Sequence, residues 1–178
     1  MKYFLLNSDR NYKNIPHIKY WYEKMKCNPN ECDWYHQLDK RTAFEVEKGN
    51  NLNFIDILSK PVFLVSDMVY ELLQLYEPNL SAKELILYSK DEFGIYFMPN
   101  LKKIDCLTEE STFNFDHSVL VEGTVDIEKV GDTGIFEIDG LKKRHYVARL
   151  DIVESLLRRG ARGLWIKELK CVRGGKMV

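Results

Sequence analysis

Long uncharged runs are missing from this sequence. The longest, Phe93–Leu101, covers nine residues, far short of the ~20 that a membrane-spanning helix needs. A secretory leader is missing as well. After Lys2 the apolar run Tyr3–Leu6 stops at Asn7, and Asp9 and Arg10 follow, whereas a leader needs about 7–15 apolar residues. The chain is therefore expected in the cytoplasm, without a membrane partner.

Cysteine and histidine are scarce, at four each. Cys27, Cys32 and His36 form a C-x4-C-x3-H string that could supply three zinc ligands. A structural zinc site needs four, usually as two tight pairs, and no second pair is visible. Reduced, buried or idle thiols are expected, with no metal and no cofactor.

Catalytic signatures are missing too. There is no phosphate-binding G-x-x-x-x-G-K-[ST], no G-x-G-x-x-G, no G-x-S-x-G and no H-E-x-x-H. His17, His36, His117 and His145 stand apart. His117 and Ser118 are adjacent, but neighbours on a strand point to opposite faces, which suits no base–nucleophile contact. The carboxylate pairs Asp91-Glu92 and Glu109-Glu110 fall near turn residues, where solvated acids are common. The expectation is a protein that is not an enzyme, the alternative being a small enzyme or ligand-binding protein whose site assembles only in three dimensions.

What is present is a globular composition: 178 residues, 45% hydrophobic and 30% charged. The pattern predicts an α+β fold in one domain, with a mostly antiparallel or mixed sheet and two main amphipathic helices. The first helix spans about 67–77. Pro61–Val65 reads as a strand before it, Ser66 as its cap, Asp67 as a favourable charge in its first turn, and Pro78 as its stop. Met68, Leu72, Leu75 and Tyr76 share one predicted face. The second spans about 150–159, with Leu150, Val153 and Leu157 on one face and Gly160 as its stop. Strand-like runs are Lys2–Leu6, Thr42–Glu47, Leu85–Tyr88, Phe93–Met98, Ser118–Glu122, Gly134–Ile138 and Gly163–Leu169, and the close connections among the four between Leu85 and Ile138 suggest antiparallel pairing. Ile18–Met25 is aromatic, fitting a short helix or an irregular packed segment. Residues 173–178 read as a frayed tail. Phe63–Leu75 and Tyr146–Leu157 echo each other, both running from strand into an acidic-start helix, which common strand-then-helix physics explains.

The net charge of −1 conceals a strong partition. Residues 1–60 hold ten Lys+Arg against eight Asp+Glu, residues 61–140 hold five against sixteen, and residues 141–178 hold eleven against three. The acidic middle suits a patch that steers a basic partner. The basic end, with Lys142, Lys143, Arg144, Arg158, Arg159 and Arg162, raises nucleic-acid binding as a further alternative. No nucleic-acid motif accompanies it, so no such partner is expected. The two blocks could also simply pair with each other on the surface.

Three strings carry a family resemblance. They are Pro61–Ser66 leading into a helix; Ile104-Asp105-Cys106-Leu107 followed by Glu109-Glu110-Ser111; and the closing unit with Phe136-Glu137-Ile138, His145-Tyr146-Val147, the helix Leu150–Arg159 and Gly163–Leu169. Together they resemble a family of bacterial immunity proteins from polymorphic toxin systems, the myxobacterial-type immunity domain formerly catalogued as a domain of unknown function. The resemblance covers about residues 60–170, making 60–172 the family-like core and 1–59 the less defined part. The chain departs from the pattern at Val147-Ala148-Arg149, where such proteins tend to repeat a Val-Ser helix start.

The resemblance implies a cytoplasmic protein that protects its producer by binding a cognate toxin and occluding it, with no catalytic residues. On this reading the candidate partner-binding residues are Asp91, Glu92, Asp105, Glu109, Glu110 and Asp116. They would face a basic surface on the toxin, with aromatic side chains as anchors.

Overall fold

The computed structural model describes residues 1–26, 34–47, 51–116 and 119–177. In chain order they form β1 (Tyr3–Ser8), α1 (Trp21–Met25), α2 (Trp34–Gln37), β2 (Arg41–Glu45), β3 (Ile57–Leu58), β4 (Leu64–Val65) and α3 (Asp67–Tyr76). Next come β5 (Ala82–Tyr88), β6 (Phe93–Pro99), β7 (Lys102–Ile104), β8 (Thr112–Phe113), β9 (Leu120–Glu122), β10 (Thr124–Asp126) and α4 (Ile127–Val130). The chain closes with β11 (Ile135–Ile138), β12 (Tyr146–Arg149), α5 (Leu150–Arg158), β13 (Leu164–Glu168), β14 (Lys170–Arg173) and β15 (Lys176–Met177). The fold is mixed α and β, as expected. The expected plan of one sheet and two helices needs correction: the described residues contain several sheets and five helices. Only α3 and α5 exceed five residues, so the two helices with clear periodicity were the legible ones.

The chain divides into two compact units. The terminal unit takes Met1–Asn7, Leu101–Arg159 and Ile166–Val178; the inserted unit takes Ser8–Asn100 and Gly160–Trp165. The terminal unit holds a five-stranded sheet in the order β13-β1-β12-β11-β7, a three-stranded sheet β10-β14-β15 and the pair β8-β9. Its core gathers Tyr3, Leu5, Cys106, Val125, Phe136 and Val147. The inserted unit holds a five-stranded sheet in the order β2-β5-β6-β4-β3. Trp21, Trp34, Phe44, Leu85, Leu87 and Tyr96 belong to its core.

The two large sheets share a winding order. In the inserted unit the hairpin β3–β4 leads through α3 into β5, and β6 lies between β5 and β4. In the terminal unit the hairpin β11–β12 leads through α5 into β13, and β1 fills the place between β13 and β12. The echo between Phe63–Leu75 and Tyr146–Leu157 thus extends to strand order, beyond a shared strand-then-helix step. The strand equivalent to β6 comes from the opposite end of the chain.

Several local expectations change. α3 buries Val69, Leu72 and Leu73 and leaves Leu75 70% exposed; α5 buries Ile152, Val153 and Leu156 and leaves Leu157 54% exposed. In both helices the apolar stripe is wider than the strip that packs, and one leucine on its flank stays in solvent. Ser66 occupies the N-cap of α3 in extended conformation, but its buried hydroxyl makes no cap bond. At α5 the residue in cap position is Arg149, which forks onto Asp151 with Nε–Oδ1 and Nη2–Oδ2 both at 2.9 Å. This ion pair spans the first turn where a hydroxyl would have served. The frayed tail is a correction as well. Arg173 pairs with Lys176, and Gly174 and Gly175, at φ 53° and 75°, make the two-residue turn of a β14–β15 hairpin. Parallel pairs β2–β5, β7–β11 and β10–β14 accompany the antiparallel ones.

Candidate functional site

Asp91 and Glu92 belong to the inserted unit, in the connection of the β5–β6 hairpin. That hairpin pairs without a break from Ala82↔Pro99 to Tyr88↔Phe93. Alternation sends Leu85, Leu87, Tyr96 and Met98 into the core and leaves Tyr88, Phe93 and Ile95 at 42, 69 and 46% exposure. Gly94 lies on the inner side, where the Phe54 ring occupies the space a Cβ would need. The backbone N–H of Ser89 closes the turn onto the Glu92 carbonyl at 2.8 Å. The Glu92 carboxylate accepts from the Leu52 N–H at 3.1 Å, while Asp91 is exposed. The acidic turn therefore sits beside a strip of uncovered aromatic and aliphatic side chains.

Asp105, Glu109, Glu110 and Asp116 belong to the terminal unit. Asp105 follows β7 and is exposed, whereas its neighbour Cys106 is fully buried. Thr108 N–H donates to the Thr124 carbonyl, and Ser111 brackets Thr124 from the other side, its hydroxyl accepting from N–H at 3.0 Å and donating to the carbonyl at 3.2 Å. These bonds fix a turn on which Glu109 and Glu110 stand exposed next to each other. Beyond it Phe115 is fully exposed, and the Asp116 carbonyl accepts from Lys142 Nζ at 3.1 Å. The six candidate residues thus fall into two groups: two on one unit, four on the other. Each group has an exposed phenylalanine as a chain neighbour, Phe93 after Glu92 and Phe115 before Asp116. Sequence reasoning missed both rings, although a large apolar residue inside an acidic turn was the signal for them.

The other candidates resolve as follows. Cys27, Cys32, His117 and Ser118 lie outside the described residues. Cys106 and Cys171 are free and buried; burial pushes the Cys106 thiol up to about 12 and raises Cys171 as well. Neither thiol ionises readily near neutral pH, which removes them as nucleophiles. His145 is pushed down by burial, and its Nδ1 lies 2.7 Å from the Lys143 carbonyl. A carbonyl only accepts, so Nδ1 carries the proton. Among the described residues no group of three or more His, Cys, Asp or Glu is placed to hold a metal ion, and no helix is long and apolar enough to cross a membrane.

Much of the basic block is engaged internally. Arg144 pairs with Glu137 at 3.2 Å, both nearly buried. Lys170 pairs with Glu122 at 2.9 Å on the surface, which holds the Lys170 ammonium above and the Glu122 carboxyl below their ordinary values, chiefly through their hydrogen bond. Arg162 donates from its N–H to Asp56 at 2.7 Å and from its guanidinium to Asn53 and the Phe54 carbonyl. The acidic and basic blocks do meet in the fold, at Glu137–Arg144 and Glu122–Lys170. No family model matches the sequence, and no curated protein matches it.

Proposed function

We propose that this protein is a cytoplasmic immunity protein that binds a cognate bacterial toxin and neutralises it by occlusion, without catalysis. One observation carries the reading: each exposed acidic turn, at Asp91-Glu92 and at Glu109-Glu110 to Asp116, adjoins an uncovered phenylalanine. A protein–protein contact uses an aromatic anchor with charged groups around it. Carboxylates at the rim steer a basic partner and fix its register. The resemblance of the strings at Pro61–Ser66, Ile104–Ser111 and Phe136–Leu169 to immunity proteins supplies the class of partner.

The test is co-expression with the product of the neighbouring gene. Rescue from its toxicity together with co-purification is expected, and failure of both overturns the reading. At the interface, reversing Glu109, Glu110 and Asp116 to lysine should weaken toxin binding and flatten its salt dependence. Unchanged affinity and salt slope would remove the terminal unit's acidic turn from the interface.

A further inference from the structure

The inserted unit carries a groove of about 420 Å³ bordered by the chain from His17 to Glu23, by Glu47 and by the cis Lys60–Pro61 peptide. Trp21 lines it while only 2% exposed, held by the Phe44 ring at 5.0 Å and the Trp34 ring edge-on at 5.4 Å. Its indole Nε1 has no hydrogen-bond partner. On either side of it in the chain, Tyr20 and Tyr22 remain 67 and 56% exposed. Tyr20 adopts the left-handed backbone conformation, φ 53° and ψ 26°, which a bulky residue seldom takes. Tyr22 rests edge-on against Trp34 at 6.0 Å.

The charges around this groove are unevenly satisfied. Lys19 is taken by Glu45 at 2.6 Å. Lys24 donates to the Ala43 carbonyl at 3.0 Å and sits 4.2 Å over the Phe44 ring. Glu23 and Glu47 are exposed, and neither carboxylate makes a hydrogen bond or close ion pair among the described residues; the Glu47 backbone N–H donates to the His17 carbonyl at 2.8 Å, and its carboxylate acts on Lys19 only through space. The Lys60 ammonium makes no such bond or pair among them either. Two carboxylates against one ammonium, with His17 counted neutral, leave the lining one negative charge in excess.

We propose that this groove takes one basic side chain, of the arginine class, presented on the surface of a protein partner. Exposed tyrosines attract a guanidinium through their faces, and a carboxylate pairs with its fork. A free small molecule would need an enclosed cavity that covers most of its surface, whereas here the two tyrosines at the rim need a partner surface to cover them. The proposal deepens the immunity reading by naming the partner's chemistry and rests on it only for the partner's identity. It adds a docking element outside both acidic turns.

The test uses the full chain labelled with ¹⁵N and follows the Trp21 indole resonance, assigned with Trp21→Phe. Nα-acetyl-arginine amide should shift it saturably, with roughly millimolar affinity for one side chain. The neutral isostere Nα-acetyl-citrulline amide should not. Glu23→Gln/Glu47→Gln should weaken the arginine effect at least tenfold while leaving the rest of the spectrum in place, and Glu23→Gln alone should weaken it less. Equal shifts with the citrulline probe, no shift with the arginine probe, or indifference to both Glu substitutions would overturn the proposal. So would binding of free arginine but not of its capped form, since that would mark a small-molecule site. None of these probes is the toxin, so failed rescue in co-expression with arginine binding intact would sink the immunity reading alone.

Discussion

Arg144 and Glu137 form an ion pair whose side chains are 14 and 10% exposed. Withdrawing two charges from water is expensive, and removing one partner strands the other. We expect Arg144→Met to destabilise the protein by about 3 kcal/mol, read from urea unfolding. Arg158→Ala breaks only an exposed pair at 3.5 Å within one helix and should leave the midpoint almost unmoved. Equal effects from the two variants would refute this ranking. Asp151 behaves differently because it titrates. Its hydrogen bonds to the Arg149 fork hold its carboxyl below the ordinary aspartate value. A lowered folded value means stability that is complete above the unfolded value and lost as pH falls through the folded one, below about pH 4. Arg149→Met should therefore raise the Asp151 value in an NMR titration and shrink the acid-dependent loss of stability.

Among elements, the two helix starts in the inserted and terminal units make a controlled comparison with α4. The Asp126 carboxylate accepts the Glu128 N–H at 3.0 Å, so Asp126→Ala should lose about 1 kcal/mol. Ser66 stands in the expected cap position without a cap bond, and Ser66→Ala should be neutral or slightly stabilising, because a buried unsatisfied hydroxyl disappears. Thermal midpoints decide between them. Gly163, at φ +76°, lies against Ile55 and accepts the Asp9 N–H on its carbonyl. Gly163→Ala combines left-handed strain with a collision and should cost about 2 kcal/mol or more. Elements of this size were legible to different degrees. α3 and α5 could be read because periodicity and stop residues sit within a few positions of each other. The β14–β15 hairpin has its signal in Gly174-Gly175, but two glycines near a chain end read equally as a loose segment. The pairing of β2 with β5 was not readable, since Thr42↔Leu85 joins residues far apart in the chain. The acidic turns could be seen in composition, whereas Glu23 and Glu47 lie in a stretch whose charges nearly balance, and the aromatic run Ile18–Met25 beside them reads as packing.

For the whole molecule, the net charge of −1 describes no surface: the acidic and basic blocks meet in the nearly buried Glu137–Arg144 pair and the surface Glu122–Lys170 pair, while Asp91, Asp105, Glu109 and Glu110 stay exposed. The terminal unit depends on a strand inserted between β12 and β13. Deleting residues 2–6 should expose both neighbours, and hydrogen exchange should then accelerate in Tyr146–Arg149 and Leu164–Glu168 while the β5–β6 hairpin stays protected. Uniform acceleration across both units would contradict this. The placement of β1 also sets a clock. Tyr3, Leu5 and Leu6 are made well before the two strands that flank them in the sheet, β12 and β13. At typical synthesis rates the first strand waits on the order of ten seconds for its neighbours. Throughout that interval an apolar segment hangs free beside the growing chain, a natural handle for chaperones, and a ribosome stalled before Leu164 releases a product whose first strand has lost one side of its sheet.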